Sequence, residues 1–538
     1  MGTDVRGMRR GVHPTPPPNA LHTRGLQMSK RTTFLRKSPS PFSALNTEAV
    51  TIDEALERYA TFAQYFLVGF RWTTEALAIM AGVFASQTTF GRNRESIVGS
   101  FKLEHNAVAV IGVCNSLFFA GVASGVLFSG KLSDAFGRRA AVLASSATIS
   151  TGSFLSAFAR SPGVFSLFRL LTGVGVGLGG ANCYVLATEF VPPRHRSTAA
   201  AGMSAFCSIG MLFIAPLAFC LGSWRHLMIV VSLLNLYPLL LRNQILESPR
   251  WLLAKGREAE AKEVLLKVGR SRAGRGGAPV HAHSLELRAA PGTTAASMNE
   301  GLLDGLRKPA LRLRLAVMAC CWFVTGLVYY GLACNVGAIP GSVHVNQSLF
   351  ALADLAAIPL QLLLFSRLGR RPALLLASSA TALGLLSSVH AEAFPLLSLL
   401  PSRMRLLLAK SAITVQFTMI YLYGTELFPT SLRASAMALC SLSARVASVL
   451  APLLLSAVHT NSRTSPLGAS SPPTRLSSSA SSSPADLALY SLFAGGVISA
   501  AAAVRLLLPE TKGLALPETL ADVSSVKRKG KRRVEDMI

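Results

Sequence analysis

Four charged residues stand inside long apolar runs of the sequence: Glu75, Asp354, Lys410 and Arg445. Ionisable side chains are costly in an apolar surrounding, and those found there usually serve a function. A carboxylate attracts cations, and a guanidinium binds a carboxylate through two parallel hydrogen bonds. This set therefore predicts the reversible binding of a small charged solute.

Each of these residues also has a structural interpretation. Glu75 lies four residues after Arg71 and can pair with it on one helix face. Arg445 can instead neutralise an acid such as Glu75 or Asp354. For Lys410, near the start of its apolar run, we expect the ammonium to extend to the membrane–water interface. The sequence leaves the roles of Glu75 and Arg445 open, and also proton coupling through Glu75 or Asp354.

Residues for covalent or metal chemistry form no recognisable pattern. The eight cysteines include no CxxC pair and no His-rich spacing, so neither a disulfide framework nor a zinc site is predicted. The water-facing loops contain no nucleophile triad, paired carboxylates or metal cluster. We therefore expect no enzyme, no metal site and no cofactor.

The composition predicts the elements that must hold these residues. Of the 538 residues, 51% are hydrophobic and 15% charged, with 53 Lys+Arg against 26 Asp+Glu and a net charge of +27. A nucleic-acid-binding groove is one explanation for such a charge. The apolar runs of about 20 residues are long enough to cross a bilayer. They favour a membrane protein whose basic loops face the cytoplasm, with lipids rather than nucleic acid as its surroundings.

Twelve apolar runs are candidate membrane spans. They cover residues 62–88, 107–129, 140–159, 164–188, 199–221, 226–246, 315–337, 346–366, 372–390, 406–425, 434–458 and 486–508. Helices are expected because hydrocarbon offers no partner to backbone polar groups. The sequence thus predicts an all-α membrane protein with twelve transmembrane helices in two six-helix lobes.

The domain boundaries follow from the polar stretches. The predicted parts are a basic disordered tail over 1–50, an N-terminal lobe over 51–246 and a cytosolic linker over 247–314. They are followed by a C-terminal lobe over 315–508, with a Ser/Pro-rich outer loop over 461–484, and a basic tail over 509–538. An alternative for 1–50 is an organellar transit peptide, since it is rich in arginine and poor in acids. The loop charges place both termini in the cytoplasm, and we expect the plasma membrane, with a vacuolar or other organelle membrane as the alternative.

The loop after the second span reads GKLSDAFGRR, from Gly130 to Arg139. It matches completely, and at the expected place, the signature G-x-x-x-D-x-x-G-R-R of the major facilitator superfamily, which the chain resembles. The corresponding loop of the second half reads SRLGRR and has Ser366 where an acid is often found. The resemblance implies a major facilitator fold.

The two halves repeat a Glu-then-Arg spacing at the ends of the fourth and tenth spans, as expected of an internally duplicated fold. We expect these charges to form ion pairs between the lobes that hold the inner side closed; simple loop anchoring is the alternative. The predicted gating residues are Asp134, Arg138, Arg139, Arg169, Glu189, Arg196, Glu247, Arg370, Glu426 and Arg433.

Further phrases resemble the organic ion transporter branch of that superfamily: ESPRWLLAKG, YLYGTELFPTSLR and LPETKGLALPETLADV. With TIDEALERY before the first span and NSLFFAGVASGVLFSGKLSD on the second, the chain looks closest to plant organic cation/carnitine transporters. One departure is the short stretch 90–106, where family members usually carry a larger outer loop containing cysteine. This departure puts substrate capture or oligomer contacts through that loop in doubt.

The resemblance also suggests roles for site residues. Glu75 stands where the plant relatives have an acid in their first helix. Arg445 stands where carriers of anions and carnitine have Arg and carriers of cations alone have an acid. Trp322, Tyr329 and Tyr330 look like the seventh-helix aromatics that line the family's cavity and attract quaternary ammonium groups. Further polar contacts are expected from Asn182, Tyr184 and Gln416.

The predicted function is transport of small organic cations or zwitterions resembling carnitine, by alternating access, with protons or sodium as coupling ions. One alternative is a sugar/proton symporter of the same superfamily, because ESPRWL occurs there too. Another is a membrane sensor or scaffold that has lost transport, since Arg71, Ser366 and the Ser-rich insertion depart from the family pattern.

Overall fold

The computed structural model describes residues 49–50, 52–59, 62–86, 95–103, 106–273, 286–287, 307–464 and 484–512. These ranges are almost entirely helical. The helices are α1 (Ile52–Tyr59), α2 (Ala63–Ala85), α3 (Ile97–Ser100), α4 (Ala107–Phe136), α5 (Arg138–Ala157), α6 (Pro162–Glu189), α7 (Arg196–Leu221), α8 (Trp224–Asn235), α9 (Tyr237–Leu240), α10 (Pro249–Ala254), α11 (Glu258–Ala273), α12 (Pro309–Cys334), α13 (Val343–Arg367), α14 (Arg370–Val389), α15 (Pro395–Ser398), α16 (Ser402–Leu427), α17 (Thr430–Thr464) and α18 (Pro484–Leu507). Two-residue strands, β1 (Ala49–Val50) and β2 (Glu286–Leu287), pair in parallel.

Eleven of the described helices are long and apolar enough to cross a membrane: α2, α4, α5, α6, α7, α12, α13, α14, α16, α17 and α18. They correspond to eleven of the predicted spans, and the all-helical membrane architecture is thereby confirmed. Several of them are longer than predicted. The seventh span begins at Pro309 rather than 315, and the eleventh runs from Thr430 to Thr464 rather than over 434–458.

The sixth predicted span, 226–246, is wrong in its bounds. The chain there forms a shorter apolar helix over Trp224–Leu240, interrupted at Leu236 between α8 and α9. Pro238 has no N–H to donate to the carbonyl one turn earlier, and its ring disfavours a continuous helix. Beyond Leu240 the backbone continues in turns, so this helix is the shortest of the twelve.

Within the N-terminal lobe, α4 and α6 pack backbone to backbone. A Cβ added at Gly121 would lie 2.1 Å from the carbonyl oxygen of Leu170, and one at Gly173 would lie 2.0 Å from that of Phe118. Only glycine permits this approach, which is a common way for membrane helices to gain contact area. The close packing fixes the position of α6, which carries Asn182 and Tyr184, relative to α4.

The two lobes touch through α4 against α17 and through α7 against α13. Ser116 donates to the carbonyl of Val449 at 2.9 Å, and Gln347 donates to that of Met211 at 3.4 Å. These contacts lie in the half of the bundle away from the loops that follow α4 and α13. We call the end of the bundle that carries those two loops the basic face. The lobes are therefore joined at the end opposite the basic face.

The part of the linker that the structure describes forms helices beneath the N-terminal lobe. Trp251 and Leu252 of α10 and Val264 and Leu265 of α11 share one buried cluster with Leu56 of α1. The polar linker predicted for 247–314 is thus partly an ordered helical platform. It packs as an extension of that lobe.

Several predictions fall on parts of the chain outside the described residues. These parts are most of the N-terminal tail (1–48), the short loop after α2 (87–94) and the centre of the linker (274–285 and 288–306). They also include most of the Ser/Pro-rich loop (465–483) and the end of the C-terminal tail (513–538). The first residues of the predicted C-terminal tail, from residue 509, are described and contact the C-terminal lobe. Glu510 and Thr511 pack against the C-terminal lobe at the basic face, as shown below.

Candidate functional site

The acid on α2 is paired within its own helix. The Arg71 guanidinium donates to Glu75 Oε2 at 3.1 Å, and both side chains are buried. Arg71 also donates to Ser146 at 2.8 Å and to Ser145 at 2.6 Å, both on α5. Each nitrogen of this guanidinium thus donates to one partner, a carboxylate or a hydroxyl, and a buried charge requires such partners. Of the two interpretations left open for Glu75, the structure contains the pair with Arg71.

Arg445 on α17 has a different surrounding. Its Nη1 donates to the phenol oxygen of Tyr330 at 3.1 Å. Its Nε is buried and has no hydrogen-bond partner among the described residues. Glu75 and Arg445 attract each other electrostatically. Among the salt bridges of the described residues, however, Glu75 pairs with Arg71 and not with Arg445. The guanidinium therefore has donor capacity left for a ligand.

Lys410 does not reach the interface, so the expectation that it would do so is wrong. It lies on α16 with 2% of its surface exposed, and its Nζ is 3.2 Å from Oδ2 of Asp354 on α13. Its ammonium also lies 3.4 Å from the ring centroid of Tyr329. Thr414 donates to the other carboxylate oxygen of Asp354 at 2.5 Å. An acid on the facing helix thus overrides the tendency to extend toward water.

The predicted aromatic residues form a continuous group in the C-terminal lobe. Tyr329 and Tyr330 have ring centroids 5.3 Å apart, and Tyr329 is 5.4 Å from Phe417. Trp322 is almost fully buried and packs edge-on against Tyr421 at 4.3 Å. Trp322 is thus a core residue of this group, and the two tyrosines lie beside the charged side chains.

The remaining polar candidates mostly bind within their own lobes. Asn182 donates to Ser129 Oγ at 3.0 Å, which ties α6 to α4. Gln416 accepts from Ser378 at 3.1 Å and donates to Thr325 at 2.8 Å, so it bridges α14 and α12. Tyr184 packs against Trp72 with ring centroids 5.8 Å apart. We conclude that both amides are occupied by packing contacts, and that their ligand role is an unsupported prediction.

At the basic face the N-terminal lobe has its own charge cluster. Arg138 donates to Asp134 at 2.8 Å. Glu247 accepts the backbone N–H of Arg139 at 3.1 Å, which caps the start of α5. Arg139 also donates through its side chain to the carbonyl of Arg242 at 2.8 Å. A carboxylate at a helix N-terminus is favoured because the first N–H groups lack partners there.

The C-terminal lobe repeats this arrangement. Arg370 donates through Nε and Nη2 to Glu426, both at 3.0 Å, in a two-bond contact. Glu510 accepts the backbone N–H groups of Arg370 at 2.8 Å and Arg371 at 3.0 Å, so it caps α14 as Glu247 caps α5. Thr511 donates to Glu426 at 2.7 Å. The predicted set lacked Glu510; its signal was the Glu-Thr pair, which parallels Glu247-Ser248.

Hydrogen bonding changes the titration of Glu510. Burial by itself raises the pKa of this carboxyl, but the backbone N–H groups of Lys512, Arg370, Arg371 and Thr511 outweigh it, and the pKa is lowered below its ordinary value of 4.5. The carboxylate is the form that these donors stabilise. Glu510 is therefore charged and engaged at neutral pH.

The observed ion pairs of the predicted gating set join residues of the same lobe, Asp134 with Arg138 and Glu426 with Arg370. These four residues thus pair within their own lobes in this conformation. The predicted ion pairs between the lobes, which would hold the inner side closed, stay a prediction.

The other members of the set lie as follows. Arg169 is buried inside the N-terminal lobe, where it donates to the carbonyl of Ala78 at 2.9 Å and stacks over Phe118. Arg169 lies near the start of α6, whereas the end of that helix, at Glu189, is nearer the basic face. The prediction that Arg169 belongs to a gating ion pair is therefore wrong. Glu189 is the last residue of α6 and Arg196 the first of α7, while Arg433 donates to the carbonyl of Phe428 at 3.4 Å.

Among the described residues, the charged side chains inside the membrane near Tyr329 and Tyr330 include one cation, Arg445, without a salt bridge to an acid. Arg71 with Glu75 and Lys410 with Asp354 are two neutral pairs, whereas the hydrogen-bonded side-chain partner of Arg445 is the neutral Tyr330. Among the described residues, no group of three or more His, Cys, Asp or Glu side chains is arranged to hold a metal ion. The arrangement is suited to non-covalent binding of an anionic group.

Comparison with known proteins identifies the family. The sequence profile described as sugar (and other) transporter matches residues 59–521. The solute carrier family 22 member 15 of Xenopus tropicalis is 32% identical over 440 residues, which cover 81% of this chain and 76% of the relative. The chain belongs to the sugar (and other) transporter family. It is therefore a membrane transporter and not an enzyme.

Other relatives of this transporter are also members of solute carrier family 22. Member 1 of Bos taurus is 30% identical over 438 residues, covering 81% of this chain and 72% of the relative. These matches support the predicted organic ion branch; they are animal proteins, and the predicted likeness to plant carriers stays a prediction.

A solved structure supports the fold of this transporter. The inward-open xylose transporter XylE from E. coli superimposes with a TM-score of 0.62, covering 86% of this chain and 98% of that one, at 17% identity. The predicted major facilitator fold is thereby confirmed.

Proposed function

We propose that this transporter carries small organic ions that bear a carboxylate, with a carnitine-like zwitterion as the type of substrate. The observation that carries the proposal is the Arg445 guanidinium, which has a buried Nε without a partner among the described residues and a neutral phenol at Nη1. A carboxylate can complete this set of donors with two hydrogen bonds. A hydrogen bond to a charged group contributes about 1.5–3 kcal/mol.

The neighbouring charges favour a carboxylate over a simple cation. Glu75 is neutralised by Arg71, and Asp354 by Lys410, so neither acid offers an uncompensated charge to a cation. The uncompensated charge near the two tyrosines is positive. A zwitterion can place its carboxylate at Arg445 and its ammonium near aromatic faces, which attract such groups.

Alternating access is the proposed mechanism. The two lobes meet at the end opposite the basic face, and we assign that end to the outside because basic loops collect in the cytoplasm. The conformation is then closed to the outside, and the opposite state requires these contacts to break. Both termini are cytoplasmic in this proposal, and the membrane is the plasma membrane.

Uptake into proteoliposomes tests the substrate class. Wild-type protein is expected to take up carnitine, and Arg445→Gln is expected to lower that uptake by about tenfold or more. Choline carries the same trimethylammonium group without the carboxylate, so its residual uptake is expected to change less. The matched control is Arg312→Gln, an exposed arginine on α12, which is expected to behave as wild type.

The same assay separates the alternatives. An equal loss of carnitine and choline uptake in Arg445→Gln would contradict recognition of the carboxylate. Uptake of glucose alone would favour a sugar symporter, and no uptake of any solute would favour a sensor. Imposed proton and sodium gradients, applied one at a time, test coupling: the coupling ion is the one whose inward gradient accelerates uptake.

A further inference from the structure

The acid–aromatic pair in the C-terminal lobe has the composition of an organic-cation site. Asp354 supplies a carboxylate, and the ring of Tyr329 supplies an aromatic face. Thr414 orients the carboxylate by donating to its Oδ1 at 2.5 Å, which leaves Oδ2 directed at the cation. A carboxylate and an aromatic face together attract substituted ammonium groups.

This site already contains an ammonium group, which belongs to the protein. The Nζ of Lys410 lies 3.2 Å from Asp354 and 3.4 Å from the centre of the Tyr329 ring. Although it forms this ion pair, Nζ makes no well-aligned hydrogen bond among the described residues. It is thus held by charge and by a ring face, which are contacts that the ammonium of a small alkylamine can also make.

The occupied site adjoins Arg445. Tyr330 accepts from Arg445 at 3.1 Å and packs against Tyr329 at 5.3 Å, and Tyr329 carries Lys410 on its ring. Two consecutive tyrosines of α12 therefore link an anion-binding group, Arg445, to the cation site formed by Asp354 and Tyr329. In this chain the side chain of Lys410 occupies the cation site, while Arg445 has an unused donor.

We propose that Lys410 is a specificity-determining residue: its ammonium occupies a latent organic-cation site formed by Asp354 and Tyr329, and so excludes free organic cations. The consequence for transport, selection of substrates that carry a carboxylate, rests on the function proposed above. The occupancy of the site by an ammonium group does not rest on that proposed function. Removing the lysine side chain is expected to open the site to small alkylammonium ions.

Thermal unfolding of the purified full-length chain tests the latent site without any transport measurement. Propylammonium carries the same run of carbon and nitrogen atoms that Lys410→Ala removes. Propylammonium chloride is expected to raise the melting temperature of Lys410→Ala by about 3 °C or more relative to sodium chloride of equal concentration. Wild type, Lys410→Met and the double variant Lys410→Ala/Asp354→Asn are expected to show no such difference.

Two results would overturn the proposal. One is a Lys410→Ala variant whose melting temperature is the same in both salts; the other is an equal shift in Lys410→Met, where the space is filled and the charge is gone. If Lys410→Ala does not fold, recovery of folded protein during expression with propylammonium supports the site. Failure to recover, combined with normal folding of the double variant, would show a purely structural ion pair.

Uptake gives the second readout. Lys410→Ala is expected to take up labelled methylammonium at least about tenfold faster than wild type, and the double variant to lose that gain. If wild type fails to take up carnitine, the proposed substrate is wrong, while the salt-dependent melting of Lys410→Ala still decides the assignment of Lys410. If that melting is unchanged but carnitine uptake depends on Arg445, only the present inference fails.

Discussion

Arg71 donates to Glu75 at 3.1 Å, one helical turn away on the same helix, and the arginine has no exposed surface. Replacing Arg71 by Met is expected to leave the carboxylate buried without its cation. Such a loss costs about 3–5 kcal/mol when the remaining charge stays buried. Thermal unfolding of the purified chain measures the effect, and we expect a strongly lowered melting temperature.

The matched double variant Arg71→Met/Glu75→Met separates pairing from binding. Replacement of both charges by apolar side chains is often neutral or stabilising, within about 1–4 kcal/mol, so we expect the double variant to recover most of the lost stability. Retained carnitine uptake in that variant would agree with a structural pair. An isolated loss of uptake with normal stability would instead assign Glu75 to the substrate or to a coupling ion.

Glu510 is expected to make stability at the basic face depend on acid. Because its pKa is lowered in the folded chain, the charged form stabilises the fold at neutral pH. That contribution begins to fall as pH drops below the ordinary carboxyl value of 4.5 and is lost once pH passes below the lower native value. Glu510→Gln is expected to lose about 1–2 kcal/mol at pH 7 by weakening the cap on α14.

The difference between wild type and Glu510→Gln is the measurement that checks this pH dependence. Melting temperatures taken from pH 7 downward should converge as Glu510 becomes protonated. A constant gap down to acid pH would indicate that the charge of Glu510 contributes nothing. Glu392, an exposed acid in a short turn, offers a control: Glu392→Gln is expected to match wild type throughout.

The sequence alone predicted the helical spans because each needs about 20 apolar residues, a property of composition. It located the charged residues of the site for the same reason. It did not predict their partners, since pairing across helices depends on rotation and depth. Lys410 illustrates the limit: its position near a span end suggested the interface, and an acid on α13 decided otherwise.

Arg71 and Glu510 illustrate two further cases. The spacing of Arg71 and Glu75 predicted the pair, but the two serines of α5 that also bind Arg71 lie 74 and 75 residues away in sequence and belong to no motif. Glu510 belongs to the segment LPETKGLALPETLADV, which resembles the family. Its role as a helix cap is visible only in the fold, where the chain after α18 meets the start of α14. Local spacing is readable from sequence, whereas contacts between distant helices need the fold.

The approach of α4 and α6 predicts a severe effect for a small substitution. In Gly173→Ala the new methyl group would meet the carbonyl oxygen of Phe118 at 2.0 Å, a distance that forces the helices apart. We expect a loss of about 1–3 kcal/mol, as for other overpacked sites, seen as a lower melting temperature and less folded protein. Gly495→Ala on α18 is the control, because no neighbouring part of the described chain comes within 4 Å of its added Cβ.

Closure opposite the basic face predicts a cross-link that stops transport. A Cβ at Gly112 of α4 would lie 2.7 Å from Cβ of Ser456 on α17. Disulfides need about 3.5–4.5 Å between these atoms, so a small separation of the helices suffices to accommodate one. Gly112→Cys/Ser456→Cys is expected to form a bond between the lobes under oxidation and to lose most carnitine uptake, which a reductant restores.

The two single-cysteine variants control for the eight native cysteines, and each should keep its uptake after oxidation. Mass spectrometry of the oxidised double variant verifies that the bond joins positions 112 and 456. Ser116 and Val449 join the same two helices deeper in the bundle, so alternating access requires α4 and α17 to separate along this contact in each cycle. Undiminished uptake by the fully cross-linked carrier would therefore contradict movement at this contact and require another route for the substrate.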